Sequence, residues 1–419
     1  AEVIPSLPEE AGEALLSHFA ALKNCLALTS LVEEDDELSF EERRHFYLWS
    51  SKKEVRLWQK NNWLPAMEFL HPLQREAVLT TSRKPLLIEG SCGTGKTTVV
   101  LQRARYFAMQ LNEKSAKGGR ILLVTPSSHA TANLVEQLAA FNPPSLLPFY
   151  DVHSIDDMAK IILQEADVVN PVSIYGAALG VIADGGFEIE CSHIIIDDFH
   201  DMERAAIRLI AQLAEESQAT LTLVGNENMR SFLPAFTWEE AGVGECTQCQ
   251  PLIRDYRSSR LQRSLASEIA THCQIELRKA VALRRGIAPK LRGFASATEE
   301  SNWLAEIIVG LVEDRNIPLS RIALIAPDDL MMSDEYINTF ERVGVLSARC
   351  GAETKSDSSL IWYSYEQVGN LYCDHLFLIA LQEVEVSRSL VKAILQARKD
   401  IALSWSGARP DYLVDLISD

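Results

Sequence analysis

Gly90-Ser-Cys-Gly-Thr-Gly-Lys96-Thr97 follows a short apolar run, Lys84-Pro-Leu-Leu-Ile-Glu89. It precedes Thr97-Thr-Val-Val-Leu-Gln-Arg-Ala-Arg-Tyr-Phe, whose apolar spacing is helical. Few folds accept that strand-loop-helix order. Successive backbone N–H groups curl around a phosphate where glycines remove the steric bar, and the N-terminus of the following helix adds partial positive charge. Gly90, Ser91, Cys92, Gly93, Thr94, Gly95, Lys96, Thr97 and Thr98 are the expected phosphate-binding set. Lys96 is expected to reach the β- and γ-phosphates, and the Thr97 hydroxyl to ligate Mg²⁺. The implied ligand is ATP or GTP.

The chain of 419 residues has room for two or three domains, and its 47% hydrophobic content is that of ordinary globular folds. It has no apolar run long enough to span a membrane and no charged-then-apolar opening segment, so it reads as soluble and cytoplasmic. It opens on Ala1 without Met, as expected of a trimmed or excised start. A net charge of −18 counts against a broad electrostatic grip on nucleic acid, because Lys and Arg neutralising phosphates supply most non-specific affinity. A local basic groove remains compatible with that charge. Cys246-Thr-Gln-Cys249 is the one CxxC, without a second pair at zinc spacing, and the eight cysteines read mainly as a reduced pool.

Residues 1–68 read as a helical extension, with a capping box at Ser39-Phe-Glu-Glu42 and aromatics at Phe46, Tyr47, Trp49, Trp58 and Trp63. Over 69–250 apolar strands alternate with helices, the strands being Leu86 to Glu89, Ile121 to Thr125, His193 to Ile196 and Leu221 to Val224. The pattern restarts over 251–419, with strands at Leu291 to Ala295, Arg321 to Ala326, Leu360 to Ser364, His375 to Ala380 and Ile401 to Trp405. Two α/β lobes built on doubly wound parallel sheets follow, with ligands expected at the carboxyl ends of strands. Ser296-Ala-Thr-Glu299 opens a helix whose stripe of Leu304, Ile307, Ile308 and Leu311 is a packing face.

Several short elements recur around the loop in a fixed order. Upstream stands Leu70-His-Pro-Leu-Gln74. Downstream come Thr125-Pro-Ser-Ser-His, Val152-His153-Ser154, Asp197-Asp198-Phe199-His200-Asp201 after an apolar strand, and Leu223-Val-Gly225-Asn-Glu-Asn-Met229. Asp255-Tyr256-Arg257-Ser258, Glu366-Gln-Val-Gly369-Asn-Leu-Tyr372 and Lys392-Ala-Ile-Leu-Gln396-Ala-Arg398 follow. Taken together, from about Phe69 to Trp405, they resemble the UvrD/Rep/PcrA-type superfamily 1 helicases, with two RecA-like lobes of phosphate-loop NTPase type.

That resemblance implies ATP and Mg²⁺ in a cleft between the lobes and single-stranded nucleic acid across them. It implies that Gln74 reads the adenine edge, Tyr256 stacks on the adenine, Arg257 reaches the γ-phosphate, and Asp197 holds Mg²⁺. The catalytic set becomes Lys96, Asp198 and Arg257, with Asp198 where the family has the Glu that activates water. Departures gather at the γ-phosphate: His200 and Met229 stand for glutamines, Asn226 for Asp, Gln396 for a second arginine finger. Glu366, Gly369 and Tyr372 stand for His, Lys and Glu. An arginine finger is worth roughly 10³ to 10⁵ in turnover, so its loss implies slow or absent hydrolysis. In a register shifted by two, Arg398 is the finger. The large insertions that engage duplex in that family have no room here. Two readings follow: a degenerate ATP-binding module acting as a regulatory or assembly subunit with a protein partner, or a working minimal DNA-dependent translocase using Asp198 and Arg398.

Overall fold

The structure, a computed structural model, describes residues 70–113, 119–165, 173–230, 235–327, 334–349, 359–365, 368, 371, 373–384 and 387–413. The expected extension over 1–68 and the positions Glu366, Gly369 and Tyr372 lie outside the described residues.

The first lobe runs α1 (Pro72–Leu79), β1 (Leu86–Glu89), α2 (Lys96–Glu113), β2 (Ile121–Thr125), α3 (Ser128–Phe141), β3 (Tyr150–Ser154), α4 (Ile155–Glu165), α5 (Ile174–Ala183), β4 (His193–Ile196), α6 (Arg204–Glu216), β5 (Thr220–Gly225) and β6 (Thr247–Gln248). These strands form one parallel sheet in the order β3-β2-β4-β5-β1-β6. Successive side chains of a strand point to opposite faces, and both faces are covered here. Leu87, Leu122, Val124, Ile194 and Ile196 pack on α4, α5 and α6. Their neighbours Leu86, Ile88, Ile121, Leu123 and Ile195 pack on α1, α2 and α3. This two-sided burial explains why the strands read as unbroken apolar runs.

Next come β7 (Arg254–Ser259), α7 (Arg260–His272) and β8 (Val281–Arg284), in which β7 and β8 pair as a two-stranded ribbon. The second large sheet is built from β9 (Lys290–Phe294), β10 (Ile322–Ala326), β11 (Ser347–Arg349), β12 (Leu360–Ser364), β13 (His375–Leu378) and β14 (Asp400–Ser406), with α8 (Ala297–Glu313), α9 (Asp334–Arg342) and α10 (Arg388–Ile394). Its order is β11-β12-β10-β13-β14-β9, again parallel. Ser296 caps α8 by accepting from Glu299 N–H at 3.3 Å. Leu304, Ile308 and Leu311 of its apolar stripe are buried, while Ile307 is half-buried. The fold is α/β with parallel sheets, as the alternation of elements indicates.

Each lobe repeats one backbone device. Asp198, two residues past the end of β4, and Ala380, two residues past the end of β13, adopt left-handed backbone, with φ of 51° and 53°, and each enters a single 3₁₀ turn. A side chain other than glycine is rarely held there unless its surroundings fix it. At Asp198 the consequence is positional: the carboxylate is turned toward the loop before α2.

Candidate nucleotide site

Residues 90–95 connect β1 to α2 over a very short span. Gly90 N–H donates to Gly225 O at 3.0 Å, and Val99 N–H donates to Gly95 O at 3.0 Å. Gly93 and Gly95 have φ of 79° and 80°. Contact reinforces the need for glycine at both. A Cβ on Gly95 would lie 2.4 Å from Gln74 Nε2, and one on Gly93 would lie 2.0 Å from an Asp255 oxygen. The loop is braced from within by Thr94 Oγ1 donating to Ser91 O at 2.8 Å.

Lys96 is buried, donates to Ser91 O at 3.3 Å, and lies 3.8 Å from Asp198 Oδ1. Thr97 Oγ1 donates to Asp197 Oδ2 at 2.9 Å. The other oxygen of that carboxylate is buried without a hydrogen-bond partner. Burial and the adjacent Asp198 push the Asp197 carboxyl above its ordinary value. An orphaned carboxylate oxygen beside a threonine hydroxyl is the donor set a hard divalent cation prefers, so these two residues fit Mg²⁺. Among the described residues no group of three or more His, Cys, Asp or Glu is placed to hold a metal, the Cys246 and Cys249 surroundings included.

Gln74 is buried and doubly engaged. Its Oε1 accepts from His71 N–H at 3.0 Å as part of a capping box, and its Nε2 donates to Thr94 O at 3.0 Å. It therefore ties α1 to the loop, leaving one amide N–H and one lone pair for a base. Beneath it, Arg103 of α2 is buried and donates to Ala77 O, Val78 O and Thr80 O at 3.0, 2.9 and 2.8 Å.

His200 is buried between two acids, 3.8 Å from Asp198 and 3.9 Å from Asp201. Burial holds its imidazole down to about 4, so the ring is neutral. Both amide atoms of Asn226 are buried without partners. Met229 is buried in an apolar cluster with Cys92 of the loop and Leu265, Leu390 and Leu395 of the second lobe. At that position the side chain acts as packing between lobes, with no hydrogen bond to give a phosphate.

From the second lobe, Tyr256 N–H donates to Gly93 O at 2.9 Å. The Arg257 guanidinium donates to Gln396 Oε1. Gln396 follows the end of α10 and is buried, and it is the side chain that meets Arg257. Arg398, two residues on, has Asp374, Cys373 and Arg284 as its electrostatic neighbours.

The structure also shows charged contacts around the loop to which the sequence motifs assign no role. Asp255 and Arg263 pair against it, Arg278 binds Glu89 at 2.6 Å, and Lys392 binds Asp201 across the lobes. Asp255 belongs to the Asp255-Tyr256-Arg257-Ser258 element, but Arg263 lies beyond it on the next helix, at a spacing no motif encodes.

A family model described as an AAA domain matches residues 74–231. A solved structure of Mss116p, with its NTE and C-tail deleted and bound to ssRNA and AMP-PNP, shares 13% identity at a TM-score of 0.52. The match covers 93% of this chain and 76% of that one. The fold is that of a helicase-like phosphate-loop module. DEAD-box helicase Mss116 bound to ssRNA and UDP-BeF matches at 11% identity and TM-score 0.45, over 80% of this chain and 69% of that one. The PRRSV helicase matches at 12% identity and TM-score 0.39 over 80% of this chain. The helicase-like module spans 54% of the PRRSV protein, about half its length. No curated protein matches it by sequence. No helix among its described residues is long and apolar enough to cross a membrane.

Proposed function

We propose that this chain is a UvrD-like, superfamily 1 nucleotide-binding module that takes Mg²⁺ and ATP at the loop and cleaves ATP slowly or not at all. It serves as a regulatory or assembly subunit with a protein partner. Gly90 to Thr98 would hold the phosphates, Thr97 and Asp197 the Mg²⁺, and Gln74 and Tyr256 the base. Bound there, Mg²⁺ and Lys96 supply charge to the phosphate chain, and Asp198 is the carboxylate available to a water.

The observation that carries the reading is the Arg257–Gln396 contact. The guanidinium expected at the terminal phosphate has a neutral amide beside it rather than a second cation. Met229 in the interlobe cluster weighs the same way, because a thioether cannot sense a phosphate oxygen. The alternative, a working translocase with Arg398 as the finger, has less support: Arg398 has Asp374 and Arg284 for charged neighbours, and Gln396 takes the place at Arg257. Single-stranded nucleic acid is a weak ligand on this reading, given the net charge of −18.

Calorimetric titration with Mg²⁺ and ATP, and turnover with and without single-stranded DNA, test the proposal against Lys96→Ala. Binding that Lys96→Ala abolishes, with turnover far below one per second, is expected. Lys96-dependent turnover of about one per second or faster would show a working motor instead, and absence of binding would remove the nucleotide reading.

A further inference from the structure

Two cations from different lobes converge on one residue of the phosphate loop. Lys96 Nζ donates to the carbonyl of Ser91 at 3.3 Å. Arg263, on α7, donates through Nη1 to the hydroxyl of Ser91 at 3.3 Å and through Nη2 to Cys92 O at 3.1 Å. Arg263 lies outside every motif of the family resemblance.

Its aim is set by Asp255. That carboxylate is fully buried, and its Oδ2 accepts from Arg263 Nε at 3.1 Å and Nη2 at 2.5 Å. Its Oδ1 accepts from the N–H groups of Arg257 and Ser258 at 2.8 and 2.9 Å. That oxygen also abuts Gly93 so closely that a Cβ there would lie 2.0 Å away. Asp255 therefore fixes the guanidinium and its distance from the loop together. The Nε–Nη2 edge faces Asp255 while Nη1 faces Ser91, so the planar fork can keep its carboxylate and exchange a neutral acceptor for a charged one.

We propose that Arg263 is a second-lobe contact for the terminal phosphate of a nucleoside triphosphate at the loop, positioned by Asp255. This rests on the nucleotide-binding reading above. The positive end of α2 draws the inner phosphates toward Gly95 to Thr97, and a cation entering from the other lobe at Ser91 and Cys92 meets the outer one. Hydrogen bonds from an ionised donor to an ionised acceptor are roughly twice as strong as neutral ones. The exchange of Ser91 for a phosphate oxygen is therefore favourable, and it distinguishes triphosphate from diphosphate.

The test is the ratio of affinities for ADP and for the β,γ-imido analogue of ATP, both with Mg²⁺, in the wild-type chain, Arg263→Gln and Asp255→Asn. Arg263→Gln should weaken the triphosphate analogue by about tenfold and leave ADP within about twofold. Asp255→Asn keeps an oxygen for the Arg257 and Ser258 N–H groups but turns an amide NH₂ toward the Arg263 N–H groups, so the guanidinium loses its aim and the triphosphate should again weaken relative to ADP. Retained ADP affinity in both variants separates loss of a phosphate contact from simple damage to the fold. An unchanged ratio in Arg263→Gln overturns the inference while wild-type binding leaves the nucleotide reading standing. Should Arg263→Gln not fold, an Asp255→Asn ratio of triphosphate to ADP affinity that is unchanged or raised overturns it instead. A wild-type chain that binds neither nucleotide overturns both.

Discussion

Thr97 Oγ1 and Asp197 Oδ2 are hydrogen-bonded at 2.9 Å across the loop, and the second oxygen of Asp197 is buried with nothing to bond. A buried acceptor without a partner is costly, and a divalent cation relieves that cost. Asp197→Asn keeps the shape and one acceptor but loses the charge. Its affinity for ATP should then be nearly the same in Mg²⁺ as in excess chelator, whereas the wild-type chain should bind at least tenfold more tightly with Mg²⁺. Equal Mg²⁺ dependence in the two proteins would place the cation elsewhere.

His200 gives the chain an acid limb. Burial holds its imidazole to about 4, below the ordinary 6.5, while Asp198 and Asp201 raise it and Lys96 and Lys392 lower it. As pH falls through 6.5 the unfolded chain takes the proton first, so stability present above 6.5 is lost progressively toward 4. For one such group the loss is about 3 kcal/mol. His200→Gln should flatten part of that limb in denaturant midpoints measured from pH 7 to pH 4. An identical slope in both proteins would assign the limb to other groups, such as the buried His375.

Much of this was legible in the chain, for reasons that differ by element. Strands β1, β2, β4, β5, β10, β12 and β13 are buried on both faces and so spelled out as apolar runs. Strand β3 is an edge strand, half-exposed over most of its length, and Tyr150-Asp-Val-His-Ser154 carries no such run. Strand β7 is largely buried yet polar, because Asp255 pairs with Arg263 of α7, Ser258 Oγ donates to Leu395 O behind α10, and Ser259 shares reciprocal hydrogen bonds with Gln262 of α7. Periodicity cannot report a strand whose burial is satisfied by hydrogen bonds. The loop residues were legible because glycine backbone and lysine charge are local properties. The Arg257–Gln396 contact depends on how distant segments of the second lobe fold together, and the Lys392–Asp201 contact on how the two lobes meet, 139 and 191 residues apart in sequence.

Arg103 joins three elements from one position. It donates to the last carbonyls of α1, to Thr222 Oγ1 of β5 at 3.0 Å, and lies 4.7 Å above the ring of Phe107, which stacks on His193. Arg103→Leu takes the guanidinium donor from three carbonyls, two of them buried and the third part-buried, and a loss of about 3 kcal/mol is expected from urea midpoints. A loss below about 1 kcal/mol would mean that water reaches those carbonyls.

Lys392 and Asp201 join α10 to the turn after β4, with Arg388 reaching Arg230 O at 3.4 Å on the same helix. Lys392 is buried, so removing its charge strands an acid at the interface, a change that typically costs about 3–5 kcal/mol. Lys392→Met should loosen the lobes before either unfolds, giving a larger radius of gyration in solution scattering with unchanged helix content. An unchanged scattering curve together with a lowered midpoint would show that the pair stabilises one lobe alone.

Gly225 ends β5 beside Glu89, and its carbonyl receives Gly90 N–H at the mouth of the loop. A Cβ there would lie 2.6 Å from two ring carbons of Phe199, a fully buried side chain that sits edge-on to Trp238 at 5.0 Å. The ring cannot give way cheaply, because it begins the turn that carries His200 and follows the left-handed Asp198. Overpacking of this kind costs about 1–3 kcal/mol, so Gly225→Ala should lower the denaturant midpoint. It should also weaken nucleotide binding, since Asp198 and Lys96 are joined through the displaced turn. Shortening the ring tests the cause. Phe199→Leu destabilises on its own by opening a cavity, but combined with Gly225→Ala it should cost less than the two single losses added together. Residues in contact show such coupling, whereas independent ones add within about 0.3–0.5 kcal/mol, so strict additivity would mean that the new methyl group is accommodated by backbone movement at Gly90 instead.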